Sequence, residues 1–509
     1  MEFRFPSFTT PLLTFLFVFM VVKVLKGWKA KNPQARLPPG PRKLPLIGNM
    51  HQLISSLPHH TLRDLAKKHG PLMHLQLGEV PTIVISSPET AKEVLKDHAT
   101  IFAQRPYLLA SKIMSYDSTN IVFSPYGKYW RQLRKISTME LLSPSRVLSF
   151  RFIREEEVSA LIKTISLIEG SPVNLSVKIF SMTYGITSRA AFGKKSKDQE
   201  EFIRIMMETI KLAGGFCLAD MYPSNELLKL ISGVRLKLEK LQLASDRILE
   251  DIVNEHKEKT NRTSETGNQQ GEEDLLDVLL KLQQSSDLEI PLTNDKIKAI
   301  ILDILVAGGD TSSTTMEWAM SEMLKNPRVM KQAQAEVRQV FDRKGNVDEA
   351  GIHELKFLRS IVKETLRLHP AAPLLVPREC DENCVISGYD ILAKSKVIVN
   401  AWAIGRDSRY WKDAENFNPE RFLDSPIDFR GTHFEYIPFG AGRRICPGIS
   451  FALPNIELPL AQLLYHFDWK LPNGSNCEDL DMTECFGITV RRKNDLFLIP
   501  IPYHPLPSE

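Results

Sequence analysis

The ten residues Phe439-Gly-Ala-Gly-Arg-Arg-Ile-Cys-Pro-Gly448 govern the interpretation of this chain. They place one cysteine in a glycine-rich loop, with two arginines before it and a largely apolar segment, Ile449 to Leu464, after it. Arginines and helix-end N–H groups favour the thiolate, which is the form that binds metals. Glycines let a backbone approach a bulky group closely. The stretch therefore predicts a loop that presents the Cys446 thiolate to a metal cofactor. The alternative is a buried structural cysteine in an ordinary turn.

The same ten residues fit the pattern F-x-x-G-x-R-x-C-x-G and resemble the haem-binding loop of the cytochrome P450 superfamily. The matching positions are Phe439, Gly442, Arg444, Cys446 and Gly448. The resemblance implies that Cys446 is the axial thiolate and metal ligand of a b-type haem (heme b), which it tunes towards O–O cleavage. It also implies that Phe439 and Arg444 contact this haem, with Arg444 as a partner of a propionate.

Composition limits the class of protein. A hydrophobic content of 43% and a charged content of 25% are typical of a globular chain. A net charge of +4 is too small to favour nucleic acid as a main partner. Six cysteines in 509 residues form neither a disulfide framework nor a zinc-type spacing, and we treat the pair Cys380 and Cys384 as coincidental. One large enzyme domain in a reducing compartment fits these values.

The N-terminus predicts a membrane anchor. Phe8 to Leu25 gives roughly 18 mostly apolar residues, near the lower limit for a span. Basic residues follow this segment and only Arg4 precedes it, so the body of the chain should face the cytosol. A cleaved secretory signal would need charges on the other side and a small-residue cleavage site. We predict an anchor at 1–26, a basic and proline-rich hinge at 27–41, and a catalytic domain at 42–509.

Three further positions suggest an anion-binding site. Trp130 and Arg134 lie four residues apart on a helix that should start near Tyr126, so they share a face. An indole N–H and a guanidinium on one face can bind an anion, or they can form an ordinary surface pair. In the superfamily, W-x-x-x-R at this place contacts the haem propionates. Arg378, after the proline-punctuated run 370–377, resembles another propionate ligand.

Thr293 to Asn326 predicts the longest helix, which at 1.5 Å per residue would span roughly 48 Å. Its middle reads Ala307-Gly-Gly-Asp-Thr-Ser312. Two glycines cost a helix roughly 1 kcal/mol each relative to alanine, so they indicate that something approaches its face closely. A helix-packing notch is the alternative. The segment resembles the superfamily pattern (A/G)-G-x-(D/E)-T-(T/S). The resemblance implies an oxygen-binding groove at Gly308 and catalytic delivery of protons by Asp310 and Thr311.

Glu364 and Arg367 lie three residues apart on a helix that should end at His369-Pro370. They resemble the E-x-x-R pair of the superfamily, and Pro419-Glu-Arg-Phe422 resembles the segment whose arginine this pair binds. The resemblance implies a structural role for Glu364, Arg367 and Arg421, not a chemical one.

Weaker patterns predict the remaining elements. Residues 72–86 read as a small hairpin, and Ser87 as the cap of a helix. Residues 102–123 show no strong period, and residues 256–274 are polar with two glycines, so both predict loops.

The family resemblance implies a mainly α cytochrome P450 fold with a small β region after one transmembrane helix. It implies a plant A-type microsomal monooxygenase in the endoplasmic reticulum membrane, with its catalytic domain in the cytosol. The implied partners are O2, a small hydrophobic substrate and NADPH–cytochrome P450 reductase, which supplies electrons from NADPH.

Several apolar segments should line the substrate pocket, and they predict a hydrophobic small molecule: Leu108–Met114, Leu212–Cys217, Ile301–Val306, Ala371–Val376 and Phe486–Ile488. Ala401-Trp-Ala-Ile-Gly-Arg-Asp407 resembles plant enzymes that oxidise terpenes and alkaloids. Thr183-Tyr-Gly-Ile-Thr-Ser-Arg189 resembles oxygenases of terpene hydrocarbons, in particular of casbene-type diterpenes, some of which carry an allylic alcohol on to a ketone. The alternatives are a sesquiterpene, monoterpene or alkaloid oxygenase, a non-oxygenating haem-thiolate isomerase or dehydratase, and a non-catalytic haem-binding protein.

Overall fold

One helix of 32 residues, Asn294–Lys325, is the axis around which the computed structural model is arranged. The Thr293 side chain accepts a hydrogen bond from the Lys296 N–H at 3.3 Å and so caps its first turn. The helix stops before Pro327, which cannot extend a helical hydrogen-bond ladder but can begin the next helix. The predicted bounds of this helix are therefore confirmed to within a residue at each end. The prediction that it is the longest helix is wrong, because the helix Val234–Thr266 has 33 residues.

The structure describes residues 36–504 apart from 54–56, 169, 196–197, 267–272, 286–287 and 475. The predicted anchor at 1–26, and residues 27–35 of the predicted hinge, lie outside the described residues. Within the described part of the chain, no helix is both long enough and apolar enough to cross a bilayer. The rest of the predicted hinge, residues 36–41, runs beside a strand, where the His74 N–H donates to the Pro39 carbonyl at 2.9 Å.

Helices make up most of the described chain. They are α1 Pro58–His69, α2 Pro88–Lys92, α3 Leu109–Met114, α4 Lys128–Lys135, α5 Pro144–Ser149, α6 Arg151–Ser166, α7 Leu175–Phe192, α8 Gln199–Leu212, α9 Leu218–Met221, α10 Glu226–Ile231, α11 Val234–Thr266, α12 Leu275–Gln284, α13 Asn294–Lys325, α14 Pro327–Asp342, α15 Lys356–Leu368, α16 Ala401–Ile404 and α17 Ile449–His466.

The strands are short and form small sheets. They are β1 Leu72–Leu77, β2 Val80–Ile85, β3 Val173–Asn174, β4 Arg378–Glu379, β5 Cys384–Ile386, β6 Tyr389–Ile391, β7 Lys396–Val399, β8 Phe467–Lys470, β9 Glu484–Cys485, β10 Arg491–Arg492 and β11 Phe497–Pro502. The largest sheet has the order β1-β2-β7-β4, in which only the β2–β7 pair is parallel. The predicted mainly α class with a small β region, and the predicted hairpin at 72–86, are confirmed.

The hydrophobic core surrounds α13, because this helix is buried on nearly all sides from Ser312 to Leu324. It packs along α7 and also contacts α15 and α17. Several of the enclosed side chains are polar and are satisfied by hydrogen bonds, such as that from the Ser321 hydroxyl to the Glu317 carbonyl at 2.7 Å. The central position of α13 brings its glycine pair to the middle of the protein.

Two predicted loops are corrected. Residues 102–123 contain the helix α3, and residues 256–274 begin with the last turns of α11. His256, the first residue of that stretch, lies in this helix. Its ring is buried, with Nδ1 at 2.9 Å from the Ile252 carbonyl and Nε2 at 3.0 Å from the Asp274 carboxylate. Polar composition therefore misled the prediction, since the polar side chains of His256 and Asp274 bond to each other inside the protein.

Candidate active site

A cavity of about 280 Å³ lies against the middle of α13. This volume is near the lower end of the range for small-molecule and cofactor pockets. Eight of the predicted site residues line it: Trp130, Arg134, Gly308, Thr311, Arg378, Phe439, Arg444 and Cys446. They come from segments more than 300 residues apart in the chain, so the fold unites what the sequence motifs predicted separately.

The cysteine loop is held by backbone contacts that leave the sulfur facing the cavity. The Cys446 N–H donates to the Phe439 carbonyl at 3.0 Å, which closes the loop. The Gly448 N–H donates to the Cys446 Sγ at 3.3 Å. Gly442 has a φ of +68°, and a Cβ there would lie 1.8 Å from the Leu95 carbonyl oxygen. Only glycine fits at that position, because both its backbone angle and the neighbouring carbonyl exclude a side chain.

The electrostatics of Cys446 suit a metal ligand. Burial raises the pKa of its thiol, while the Gly448 N–H and the nearby Arg134 guanidinium act in the opposite direction. Arg134 itself donates to the Ile445 carbonyl at 2.5 Å, beside the cysteine. A thiol in an enclosed site loses its proton when a metal binds, because the cation supplies the missing charge. The residues present therefore fit a thiolate-bound iron.

Four arginines gather at one end of the cavity: Arg105, Arg134, Arg378 and Arg444. Their hydrogen-bond partners are backbone carbonyls. Arg378 donates to Phe102 and Ala441 at 3.3 and 3.2 Å, and Arg444 donates to Ala103, Ile121 and Ser124 at 2.9, 3.3 and 2.6 Å. Within the part of the chain that the structure describes, none of the four forms an ion pair with a carboxylate.

Burial lowers the pKa of Arg378 to about 10 and that of Arg444 to about 9, and the charge of Arg378 adds to the effect on Arg444. Burial also lowers the pKa of Arg105, which feels both Arg444 and Arg378. Enclosed cations without an acid are costly unless an anion joins them. The two carboxylates of a haem would satisfy this cluster, so its charge supports the same cofactor as the cysteine loop does.

Trp130 lines the cavity, and its indole N–H has a protein partner. Its indole N–H donates to the Ile121 carbonyl at 3.0 Å, and the Arg444 guanidinium carbon lies 4.4 Å from the indole ring centre. A guanidinium over an indole face is an attractive contact. Direct binding of a propionate by the indole N–H stays a prediction, and the contact described places the indole ring against the Arg444 guanidinium.

The glycine pair of α13 serves both helix packing and the cavity. A Cβ on Gly308 would lie 3.1 Å from two side-chain atoms of Thr187 on α7 and 3.4 Å from Phe451 on α17. Next to it, the Thr183 hydroxyl donates to the Gly309 carbonyl at 3.0 Å. The packing notch considered as an alternative is thus real, and Gly308 also borders the cavity.

The side chains of Thr311 and Asp310 lie in different surroundings. The Thr311 hydroxyl lines the cavity and donates to the Ala307 carbonyl at 2.7 Å. Asp310 is 2% exposed and does not line the cavity, and its Oδ2 accepts from the Thr489 hydroxyl at 2.5 Å. Its Oδ1 has no hydrogen-bond partner among the described residues. Burial raises the pKa of Asp310. Joint proton delivery by the two residues stays a prediction.

The predicted structural pair forms a buried network outside the cavity. Arg367 donates to both oxygens of Glu364, at 2.7 and 2.8 Å, and Arg421 donates to one of them at 3.0 Å. Arg367 also donates to the Gly405 and Ala414 carbonyls, each at 2.7 Å. The network connects α15 to the segments that precede the cysteine loop, which suits a structural role.

A second, narrower cavity borders the first at Leu375. Four of the predicted apolar segments meet in it and contribute Leu108, Ala213 to Phe216, Pro373 to Leu375, and Phe486 to Ile488. The fifth segment, Ile301–Val306, contributes Ile304 and Asp303 to the first cavity. The walls are largely apolar, as those of a site for a hydrophobic molecule are.

Sequence reasoning missed two residues of the site. Arg105 lies in the stretch 102–123, which shows no strong period, and was not predicted as a site residue. Asp303 was hidden in a segment interpreted as apolar. Burial raises the pKa of Asp303 to about 7.

Comparison with known proteins gives the following matches. The family model described as cytochrome P450 matches residues 38–499. The chain is 57% identical over 493 residues to tabersonine 16-hydroxylase 2 of Catharanthus roseus, covering 96% of each chain. It is 53% identical over 494 residues to premnaspirodiene oxygenase of Hyoscyamus muticus, covering 97% of each. A structure of a zebra fish cytochrome P450 with abiraterone superposes with a TM-score of 0.74 at 24% identity, covering 88% of this chain and all of that one.

Proposed function

Because this chain belongs to the cytochrome P450 family of haem-thiolate monooxygenases, we propose that it oxidises a hydrophobic plant specialised metabolite with O2 and NADPH-derived electrons. The first candidate is a diterpene hydrocarbon such as casbene, taken to an alcohol or on to a ketone. A sesquiterpene, a monoterpene or an alkaloid is the alternative. The observation that carries this proposal is an apolar cavity with Cys446 on one wall and four arginines at one end.

Some of these residues would bind the haem, and others would deliver protons. A haem held through the Cys446 thiolate would supply the oxygen chemistry that monooxygenation needs. Cys446 would hold its iron, and Arg134, Arg378 and Arg444, joined by Arg105, would hold its propionates. The Thr311 hydroxyl, which donates to a backbone carbonyl of its own helix, can turn to pass a proton into the cavity. Asp310 would serve as the proton source behind the helix.

The apolar walls support a hydrocarbon-like substrate. One relative is named for hydroxylation of tabersonine and another for oxygenation of premnaspirodiene, so related chains serve different substrates. The preference for casbene rests on the short sequence likenesses alone. A non-oxygenating isomerase or dehydratase is disfavoured by the presence of both Asp310 and Thr311.

Membrane attachment belongs to the same proposal. We place the anchor at residues 1–26 in the endoplasmic reticulum membrane, with the reductase as the electron-donating partner. Two groups of exposed apolar side chains support contact with the bilayer: Leu44, Leu46 and Ile47 near the start of the described chain, and Leu227, Leu230 and Ile231 on α10. The Tyr222 hydroxyl donates to the Leu46 carbonyl at 3.1 Å, so the segment that leads into α10 lies against the first group.

The test uses microsomes that contain the full-length protein and the reductase. Casbene, premnaspirodiene and tabersonine are supplied separately, with and without NADPH, and products are identified by mass spectrometry. We expect an oxidised product from a terpene hydrocarbon that requires NADPH and is lost in Cys446→Ala. Product formed without NADPH would favour the isomerase class. No product from any terpene by a spectrally intact enzyme would refute the terpene assignment.

A further inference from the structure

Asp303 is the only acidic side chain that lines the main cavity within the described residues. It lies on α13, two turns before Thr311, and both neighbours Leu302 and Ile304 are buried. No arginine or lysine pairs with it among the described residues. If packing were its only role, an apolar residue would be cheaper at this position, because an enclosed carboxylate must be compensated by hydrogen bonds.

That compensation comes from a single loop. The Asp303 Oδ1 accepts from the Asn120 side-chain amide at 2.5 Å, and its Oδ2 accepts from the Val122 N–H at 3.1 Å. The Asn120 Oδ1 in turn accepts from the Phe123 N–H at 3.0 Å. One carboxylate therefore fixes the path of residues 120–123, a segment without regular structure of its own.

The carbonyls of that same loop hold the cationic end of the cavity. The Ile121 carbonyl accepts from the Trp130 indole at 3.0 Å and from Arg444 at 3.3 Å. The Val122 carbonyl accepts from Arg105 at 2.8 Å, and the Ser124 carbonyl accepts from Arg444 at 2.6 Å. Two of the four arginines thus take part of their orientation from a loop that Asp303 itself holds. Arg105 also donates to the Val376 and Pro377 carbonyls at 2.8 and 2.7 Å, and Arg444 donates to the Ala103 carbonyl at 2.9 Å.

We propose that Asp303 is a positioning residue for the haem-anchoring arginines. It acts through the loop 120–124, whose carbonyls it aims at Arg105, Arg444 and Trp130. The proposal rests on the assignment of these arginines to the propionates. It connects α13, which borders the substrate space, to the end of the cavity that retains the cofactor.

The hydrogen bond between Asp303 and Asn120 suggests a test in which the two side chains are exchanged. In Asp303→Asn, the amide can still offer its oxygen to the Val122 N–H, but its NH2 then faces the NH2 of Asn120. Asn120→Asp alone sets two carboxylates against each other. In the double variant Asp303→Asn/Asn120→Asp, the amide donates to the new carboxylate, which still accepts from the Phe123 N–H. The swap therefore restores every bond that the single variants break.

Two measurements on the holoenzyme report on the hydrogen bonds of Asp303: the rate of hydrogen exchange at the amides of residues 121–124, and the rate of haem transfer to apomyoglobin. Loss of a hydrogen bond to a charged group is expected to raise both in Asp303→Asn by about tenfold or more. The double variant should return to within about threefold of the wild type. Asp295→Asn, at an exposed acid on the same helix, is the matched control and should change neither.

The proposal is overturned if Asp303→Asn exchanges and loses haem as slowly as the wild type. It is equally overturned if the double variant is no better than the single one, and this comparison still decides the matter if Asp303→Asn accumulates poorly. Failure of the haem assignment itself would show separately, as a wild-type protein without a thiolate-type carbon monoxide spectrum.

Discussion

At the residue level, the chemistry of the site depends on where each polar side chain finds its partner. The placement of Cys446 and Arg444 at the cavity could be predicted from one short motif, and that of Arg378 from a resemblance to the family. Arg105 and Asp303 could not, because their roles depend on carbonyls and N–H groups of residues 120–124, which show no periodic pattern. Asp310 shows the same limit of prediction from sequence. The residue is next to Thr311 in the chain, but its carboxylate accepts a hydrogen bond from Thr489, 179 residues away.

Thr311→Ala should separate cofactor binding from catalysis. Loss of the hydroxyl leaves Cys446 and the arginines untouched, so the thiolate-type spectrum should remain. Product formed per NADPH consumed should fall by about tenfold or more, because a positioned proton donor contributes at least that much. Thr314→Ala, at a buried threonine of the same helix that does not line the cavity, should retain the wild-type ratio. An unchanged ratio in Thr311→Ala would remove this residue from the mechanism.

Thr489→Val tests the proposed role of Asp310 through pH. If Asp310 delivers protons from its protonated form, product formation falls as the pH rises through its pKa. The Thr489 hydroxyl stabilises the carboxylate and so lowers this pKa, against the larger raising effect of burial. Without that hydroxyl the pKa rises further, and the fall in rate should move to higher pH.

The measurement is the pH profile of product formation at saturating substrate. Thr483→Val, at an exposed threonine bonded to Asp481, is the control and should leave the profile in place. A profile that stays in place in Thr489→Val, or moves to lower pH, would exclude Asp310 as the proton donor.

At the level of elements, long periodic segments were predictable and short irregular ones were not. The helix α13 and the hairpin β1–β2 follow from apolar patterning and cap residues. The helix α3, inside a stretch interpreted as a loop, has only six residues and too few turns to show a period. The last turns of α11 were missed because the buried bond between His256 and Asp274 joins residues 18 apart in sequence.

Gly442→Ala tests the shape of the cysteine loop. A non-glycine residue at positive φ costs roughly 1–2 kcal/mol. At Gly442 the new Cβ would also meet the Leu95 carbonyl oxygen, which should add about 1–3 kcal/mol or displace the loop. Gly345→Ala is the matched control, because its φ is +73° and no atom lies within 4 Å of the added Cβ.

We expect Gly442→Ala to lose most of its haem and Gly345→Ala to retain it, as measured by haem content per protein. Equal losses in free energy of unfolding for the two variants would show that the close approach to Leu95 is unimportant.

The buried network around Glu364 should matter far more than surface ion pairs. Arg367→Met leaves Glu364 buried without its main partner, which should reduce the free energy of unfolding by about 3–5 kcal/mol. Arg235→Met breaks an exposed pair with Glu239 at 2.8 Å and should leave the free energy of unfolding nearly unchanged, because water screens exposed ion pairs. Chemical denaturation of both variants measures the difference, and a similar small loss in each would argue against the structural role.

At the scale of the whole molecule, the fold brings two features to one cavity. Cys446 and four arginines line it, and the proposal assigns the cysteine to the iron and the arginines to the two carboxylates of a haem. The family and the fold follow from the matches in sequence and structure. The substrate does not, because the apolar walls come from five distant segments and accept many hydrophobic shapes.

The reduced carbon monoxide spectrum of the full-length protein and of Cys446→Ala tests the central claim most directly. The wild type should give the Soret band of a thiolate-ligated haem, and Cys446→Ala should lose it while Gly345→Ala keeps it. A thiolate-type band that persists in Cys446→Ala, or is absent from a haem-loaded wild type, would contradict the assignment of Cys446 as the iron ligand.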